Sequence, residues 1–282
     1  MMIALVSSLS HRTRGYPLKI ATCAAFLIVL APLLAVIWVS FFENKIIGFP
    51  PTGYTLKWFV NAWNLERFHR GFMLSVEVGL IATAVSILLG IPAALALARK
   101  KFAGHEIVHS LLMSPLIVPG IVAGAAIFMF FIEVEIFLND QFNIELPLVG
   151  SLFGLCVGHS LLALPWTVRL VTASLIGMDR QVEEAAMSLG ATPWRTFWRI
   201  TLPIVRPGIV AGAIFSFVTS FVDLEKSIFL VGSGRTTLPI EMINYLEWNI
   251  DPTIAAVATI QALVIAVALI ISDYFFRVTR AF

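Results

Sequence analysis

Six long apolar runs constrain this chain more than any other feature. They lie at about 20–42, 72–98, 107–132, 148–168, 207–231 and 254–276. A helix needs roughly 20 apolar residues to cross a hydrocarbon core about 30 Å thick, and each run is long enough. Inside lipid, every backbone amide and carbonyl must find its partner within the protein, so runs of this kind predict helices. Composition agrees: 59% of residues are hydrophobic, 13% are charged and mean hydropathy is +0.92, whereas soluble domains carry about 25% charged residues. The expected fold is all-α: a polytopic membrane protein in which residues 1–282 form a single transmembrane domain of six helices. A net charge of +2 points to no nucleic-acid partner, leaving membrane lipid as the surroundings. Cys23 and Cys156 fall inside apolar runs and read as small apolar residues, not as a disulfide or metal pair. The first run exceeds the 7–15 residues of a signal-peptide core and is followed by no small-x-small site, so a retained anchor is expected.

The connections between runs carry further structure. In 43–71, Leu56, Phe59, Val60 and Trp63 recur at helical spacing beside Lys57 and Arg67, which predicts a short helix lying in the membrane interface. Glu133, Glu135, Asp140 and Glu145 make an acidic loop after the third run. Another short helix is expected near 239–248. Loop charges set the orientation. One side holds Arg12, Arg14, Lys19, Arg99, Lys100, Lys101, Arg180, Arg195, Arg199, Arg206, Arg277 and Arg280; the other holds Lys45, Lys57, Arg67, Arg70 and Arg235. Twelve against five places both termini in the cytoplasm.

The stretch 179–203, between the fourth and fifth runs, is the most patterned. Val182, Ala185, Ala186 and Leu189 share one helical face, and Asp179, Glu183 and Glu184 occupy the first turns, where carboxylates suit the helix dipole. Gly190 is placed to supply a left-handed stop. Thr192 and Pro193 then read as cap and first residue of a second helix. That helix bears Trp194, Phe197 and Trp198 with Arg195 and Arg199, and is expected to end at Leu202-Pro203. A helix, a glycine knuckle and an aromatic helix on the cytoplasmic side form a piece shaped to fit another protein.

Glu184-Ala185-Ala186, Gly190 and Ile200-Thr201-Leu202-Pro203 resemble, without departure in spacing, the EAA loop of permease subunits in binding-protein-dependent ABC importers. Thr237-Leu238-Pro239 and Asp251-Pro252-Thr253-Ile254-Ala255-Ala256 are similar to permeases of the polyamine-type subgroup. The resemblance implies an inner-membrane transport subunit, not an enzyme, working with a second permease that is a different chain, two ATPase subunits and an external solute-binding protein. It assigns Glu184, Ala185, Ala186, Gly190, Trp194, Phe197, Trp198 and Pro203 to ATPase docking. It implies no catalytic residue, no metal and no cofactor in this chain, with ATP and Mg held by the partner ATPases. The sequence is consistent with that division: a phosphate loop needs Gly-Lys, and no such dipeptide occurs. Relatives of this kind also carry opines, aminophosphonates or iron.

Two other constellations compete for attention. His105-Glu106-Ile107-Val108-His109 matches H-E-x-x-H, which on a helix could bind zinc. A membrane-embedded metalloprotease is therefore the alternative from another class, with Asp223 as its candidate third ligand. A self-contained secondary transporter would leave 179–203 without a role. Glu77, Asp223 and Glu225 are the candidate solute-path residues, since intramembrane charges tend to face a cavity or a partner. Asp223 and Lys226, at i and i+3, are expected to neutralise each other. Glu77 and Glu225 are left to meet a small organic cation. His159 is expected to hydrogen-bond between helices.

Overall fold

A computed structural model describes residues 15–46 and 48–280; Arg12 and Arg14 of the charge pattern lie outside them. The elements are α1 (Gly15–Val39), α2 (Lys57–Asn64), α3 (Glu66–Arg99), α4 (His105–Met113), α5 (Gly120–Phe142), α6 (Leu152–Ile176), α7 (Gln181–Ser188), α8 (Pro193–Thr196), α9 (Leu202–Phe221), α10 (Ser227–Leu230), α11 (Leu238–Leu246) and α12 (Thr253–Arg280). Among the described residues, six helical segments are long and apolar enough to cross a membrane: Lys19–Val39, Glu66–Arg99, Gly120–Phe142, Leu152–Ile176, Pro193–Phe221 and Thr253–Asp273. At 1.5 Å per residue, the 34 residues of α3 outrun a core of about 30 Å and extend beyond it.

The chain groups into two compact units, Met1–Asn64 with Trp248–Ala262, and Leu65–Glu247 with Leu263–Phe282. In the first, the chain after α1 folds back on itself. The Glu43 amide donates to the Gly53 carbonyl (2.9 Å) and the Thr55 amide to that of Phe41 (2.8 Å). Trp58 is buried, with Nε1 donating to the Phe42 carbonyl at 2.6 Å. The expected apolar face of α2 is turned outward, with Val60 and Trp63 exposed. Asn61 Nδ2 donates to Thr253 Oγ1 at 2.9 Å, tying α2 to the start of α12.

The second unit is built on α3, α6 and α9, which pack against one another. Lipid chains are as apolar as leucine, so helices in a membrane associate through close packing and interhelical hydrogen bonds. Both devices are present at the centre. Ser86, Thr167 and Ser216, one from each helix, form a buried hydroxyl triad with Oγ separations of 2.7, 3.2 and 3.0 Å, and Ser216 also donates to the Ala163 carbonyl at 2.9 Å. Close approach there requires glycine: a Cβ on Gly212 would stand 2.9 Å from Thr167 Cα. Two apolar clusters fill the ends of this bundle. Val78, Phe131, Leu155 and Leu230 lie in one. Ala94, Val171, Leu175 and Val205 lie in the other, beside α7 and α8.

The third and fifth spans depart from the expected boundaries. The third apolar run is divided: α4 gives way to a 3₁₀ turn at Ser114–Leu116, and a new helix starts at Gly120. Pro115 lies in that turn and Pro119 immediately precedes α5. Proline removes an amide donor and disfavours helix in the residue before it. The span is therefore Gly120–Phe142, not 107–132, and Glu133, Glu135 and Asp140 lie on its last turns instead of in a loop. Glu135 folds over the helix end and accepts from the amides of Leu148 (2.5 Å) and Val149 (2.8 Å). The fifth span stops at Phe221, not 231. The Asp223 carboxylate accepts from the amides of Lys226 (3.1 Å) and Ser227 (3.0 Å), and a side chain that captures backbone amides this way competes with the helix.

Candidate functional site

The stretch from Asp179 to Pro203 forms the candidate site. Asp179 Oδ1 accepts from the Gln181 amide at 2.9 Å, which starts α7. The helix ends in a Schellman motif: the Ala191 amide donates to the Ala186 carbonyl (3.0 Å) and the Gly190 amide to that of Met187 (2.9 Å). That arrangement needs a left-handed residue at its turn, and Gly190 has φ +90°. Thr192 Oγ1 then accepts from the Arg195 amide at 3.3 Å, with Pro193 opening α8.

The second helix does not end at Leu202-Pro203 as expected. It passes through a π-helical turn, Phe197–Thr201, and continues as α9 into the fifth span. Pro203 has no amide to offer the Arg199 carbonyl, four residues back. The widened turn accommodates the ladder just before it, with the Leu202 amide reaching the Phe197 carbonyl five residues away. α8, the π turn and α9 are therefore one continuous rod.

Exposure divides α7 into two faces. Val182, Glu184, Ala185 and Leu189 point outward, with Leu189 90% exposed. Glu183 is buried, and Ala186, on the same side, is half-buried. Trp194 and Trp198 are exposed and meet edge to face at 5.5 Å, with Phe197 packed against Trp198 at 5.4 Å. The outward surface thus joins an apolar strip on α7 to an aromatic corner on α8 and the π turn. Pro203 is exposed at the foot of α9.

Sequence reasoning missed Glu183. Its carboxylate takes a charge-assisted hydrogen bond of 2.5 Å from Arg99 at the end of α3 and a second hydrogen bond from the Thr201 hydroxyl. One buried carboxylate therefore fastens α7 both to the second span and to the π turn. Spacing sets Ala186, three residues on, on the face that proves outward, and the partner of Glu183 lies 84 residues away in the chain.

The candidate solute-path residues separate. Asp223 is buried and committed: besides the two amides, it faces Lys226 Nζ at 3.5 Å. His159, 1% exposed, completes this cluster, with Nδ1 2.7 Å from Ser220 Oγ and Nε2 3.1 Å from Ser227 Oγ. It joins α6 to the end of α9 and the start of α10. Glu77 on α3 is exposed. Glu225 is exposed too, and its carboxylate lies over Gly120, where an added Cβ would overlap it. As for the H-E-x-x-H stretch, His105 Nε2 is taken up by the Leu97 carbonyl at 3.0 Å. Among the described residues, no three His, Cys, Asp or Glu side chains are grouped to hold a metal ion.

Comparison with known proteins agrees with this geometry. Residues 86–280 match the family model described as binding-protein-dependent transport system inner membrane component. The putrescine transport system permease protein PotI of Escherichia coli (strain K12) is 28% identical over 236 residues, 83% of this chain and 82% of that protein. The molybdenum transport system permease protein ModB of Mycobacterium tuberculosis (strain ATCC 25618 / H37Rv) is 30% identical over 202 residues, covering 71% of this chain and 75% of its own. Among solved structures, a bacterial alginate ABC transporter in complex with an alginate pentasaccharide-bound periplasmic protein has the same fold, with TM-score 0.69 and 20% identity over 94% of each chain. The family match takes in the π-turn rod, the Schellman knuckle and the central hydroxyl triad, and the chain belongs to the family of binding-protein-dependent transport system inner membrane components.

Proposed function

We propose that this subunit is one half of a permease pair, that its α7–α8 surface seats in a separate ATPase subunit, and that it passes a small organic cation of polyamine type. The chain is a multi-pass inner-membrane permease of an ABC importer, a transport component and not an enzyme. The observation that carries the docking assignment is the outward face of Val182, Ala185, Leu189, Trp194 and Trp198. A surface with these large apolar side chains exposed, held rigid by a glycine knuckle and a buried carboxylate, is shaped for a protein partner. In this reading ATP and Mg stay with the two ATPase chains, an external binding protein delivers the solute, and closure of the ATPases moves the docked element between two states.

The charge asymmetry of the connections supports a cytoplasmic position for both termini and for α7–α8. A cysteine at Thr192 is then expected to react with an impermeant maleimide only after cells are opened, and one at Ser233 in intact cells. Labelling of Thr192→Cys from outside would refute that orientation.

Two observations support the cationic solute: the similarity to a putrescine permease, and the exposed, unengaged carboxylates Glu77 and Glu225. Aqueous clefts lined with one sign of charge concentrate the opposite sign. A second reading, an anionic solute, is favoured by Arg169, which stands exposed within the span α6, and by the similarity to a molybdenum permease. Uptake into vesicles holding the whole transporter and its binding protein separates them. Putrescine is expected to accumulate and a phosphonate to be excluded, with Glu77→Gln and Glu225→Gln each lowering uptake about twofold to fivefold, the scale of one screened charge contact. Selective uptake of the phosphonate with both variants silent would establish the anionic reading instead.

A further inference from the structure

α3 ends at Arg99 and α4 begins at His105, and the turn between them borders a cavity of about 420 Å³. Arg99, Lys100, Lys101 and Arg180 surround it with His105 and Glu106, and Leu97 and Ala98 add an apolar wall. The nearby carboxylates are already engaged. Glu183 is held by Arg99 at 2.5 Å, and Glu106 lies 3.3 Å from His105 Nδ1. Lys100, Lys101 and Arg180, all exposed, remain as surplus positive charge around one recess.

We propose that this recess binds the phosphate headgroup of an anionic glycerophospholipid. The charge is complementary, and Arg and Lys hydrogen bonds to phosphate are among the stronger polar contacts. Basic recesses at the ends of membrane helices suit such headgroups. α4 starts at the recess without a side-chain cap, and although the His105 amide is spent on the Phe102 carbonyl at 3.1 Å, the positive end of the helix dipole favours an anion there. A lipid fits better than a free anion because the recess opens beside apolar surface: on α4, Ile107 is 67% exposed and Leu111 65%, a face for acyl chains that free phosphate would not use. The ring of His105 lines the same recess. The Leu97 carbonyl, and then the Glu106 carboxylate, favour its protonated form and raise its pKa above the ordinary histidine value. The site also bears on docking. Arg99 lines the recess and is the same guanidinium that holds Glu183 on α7, so a bound phosphate and the α7 anchor share one cation.

The test uses the assembled transporter, purified with its second permease and ATPases and examined by native mass spectrometry. Phosphatidylglycerol and phosphatidylcholine are supplied in equal amounts. Phosphatidylglycerol is expected to be retained in large excess, and Lys100→Gln, Lys101→Gln and Arg180→Gln together to lower its retention about tenfold. The charge-conserving set Lys100→Arg, Lys101→Arg and Arg180→Lys is expected to keep it, and excess inorganic phosphate to leave it in place. Equal retention of the two lipids by the unmodified transporter would overturn the proposal, whatever the folding of the variants. So would unchanged retention in the glutamine set, or displacement by inorganic phosphate, which would indicate a free-anion site. Loss of the ATPases from a folded glutamine set would assign these cations to protein docking and also overturn it.

Discussion

Gly190→Pro is expected to abolish coupled uptake while leaving the protein inserted and folded in the membrane. Gly190 has φ +90°, whereas proline is locked near −65°. Proline would also remove the amide that donates to the Met187 carbonyl. The knuckle would open, and Leu189 and Trp194 would no longer share one rigid surface. No atom lies within 4 Å of where a Cβ on Gly190 would sit, so the damage is confined to backbone direction. Gly190→Ala should be milder, since a left-handed alanine costs about 1–2 kcal/mol. The measurements are ATPase co-purification and vesicle uptake. Proline is expected to reduce both by more than about tenfold, and alanine by a few-fold. Full uptake by the proline variant would remove α7–α8 from the coupling path.

Glu183 and Glu184 are expected to part company on mutation. Glu183→Ala leaves Arg99 facing a cavity without its carboxylate and deprives the Thr201 hydroxyl of its acceptor. Removing one partner of a fully buried charge pair costs about 3–5 kcal/mol. Arg99 keeps 27% of its side-chain surface, so solvent screening lowers the expected loss to about 2–3 kcal/mol. The thermal transition of the purified permease should fall by several degrees, and a lesser drop is expected for Glu183→Gln, which can still accept from Thr201. Glu184 is exposed, and its hydrogen bonds are made by its backbone: the amide donates to the Arg180 carbonyl at 3.1 Å and the carbonyl accepts from the Ser188 hydroxyl at 2.9 Å. Glu184→Lys should therefore leave the thermal transition in place and weaken ATPase association alone. Equal thermal losses for the two would mean that Glu183 is not the anchor.

The contrast between those two neighbours also measures what could be read in advance. Helical spacing put Val182, Ala185 and Leu189 on one face, and they share it. It also put Ala186 there, which instead turns half inward beside Glu183, because Arg99 and Thr201 pull that side of α7 towards the bundle. A partner 84 residues distant leaves no local trace. Hydropathy located all six spans but misplaced the third and the fifth most, because it weighs side-chain transfer and ignores backbone pairing. Ile117 and Val118 are as apolar as any span residues, yet Pro115 and Pro119 deny them a helix. Leu224, Ile228, Phe229 and Leu230 extend the fifth run in the same way, yet Asp223 takes the amides that would have continued α9. The Asp223–Lys226 pair was legible from its spacing, although it spans a turn and not the helix that suggested it.

The unbroken passage from α8 through the π turn into α9 has a mechanical meaning. Pro193–Phe221 comprises 29 residues, a lever about 43 Å long at 1.5 Å per residue. Tilting its aromatic end by about 10° would swing Phe221 through roughly 7 Å, a distance comparable with the width of a small solute. The π turn lies near the handle, where the hydrogen-bond ladder widens to five residues. At the far end, the buried cluster of His159, Ser220, Asp223 and Ser227 ties the tip of the lever to α6 and to the start of α10. Force applied to two tryptophans at one end of the rod would thereby reach the opposite end of the bundle, and α3 and α6 would move with it, since Ser216 is hydrogen-bonded to Ser86 and Thr167.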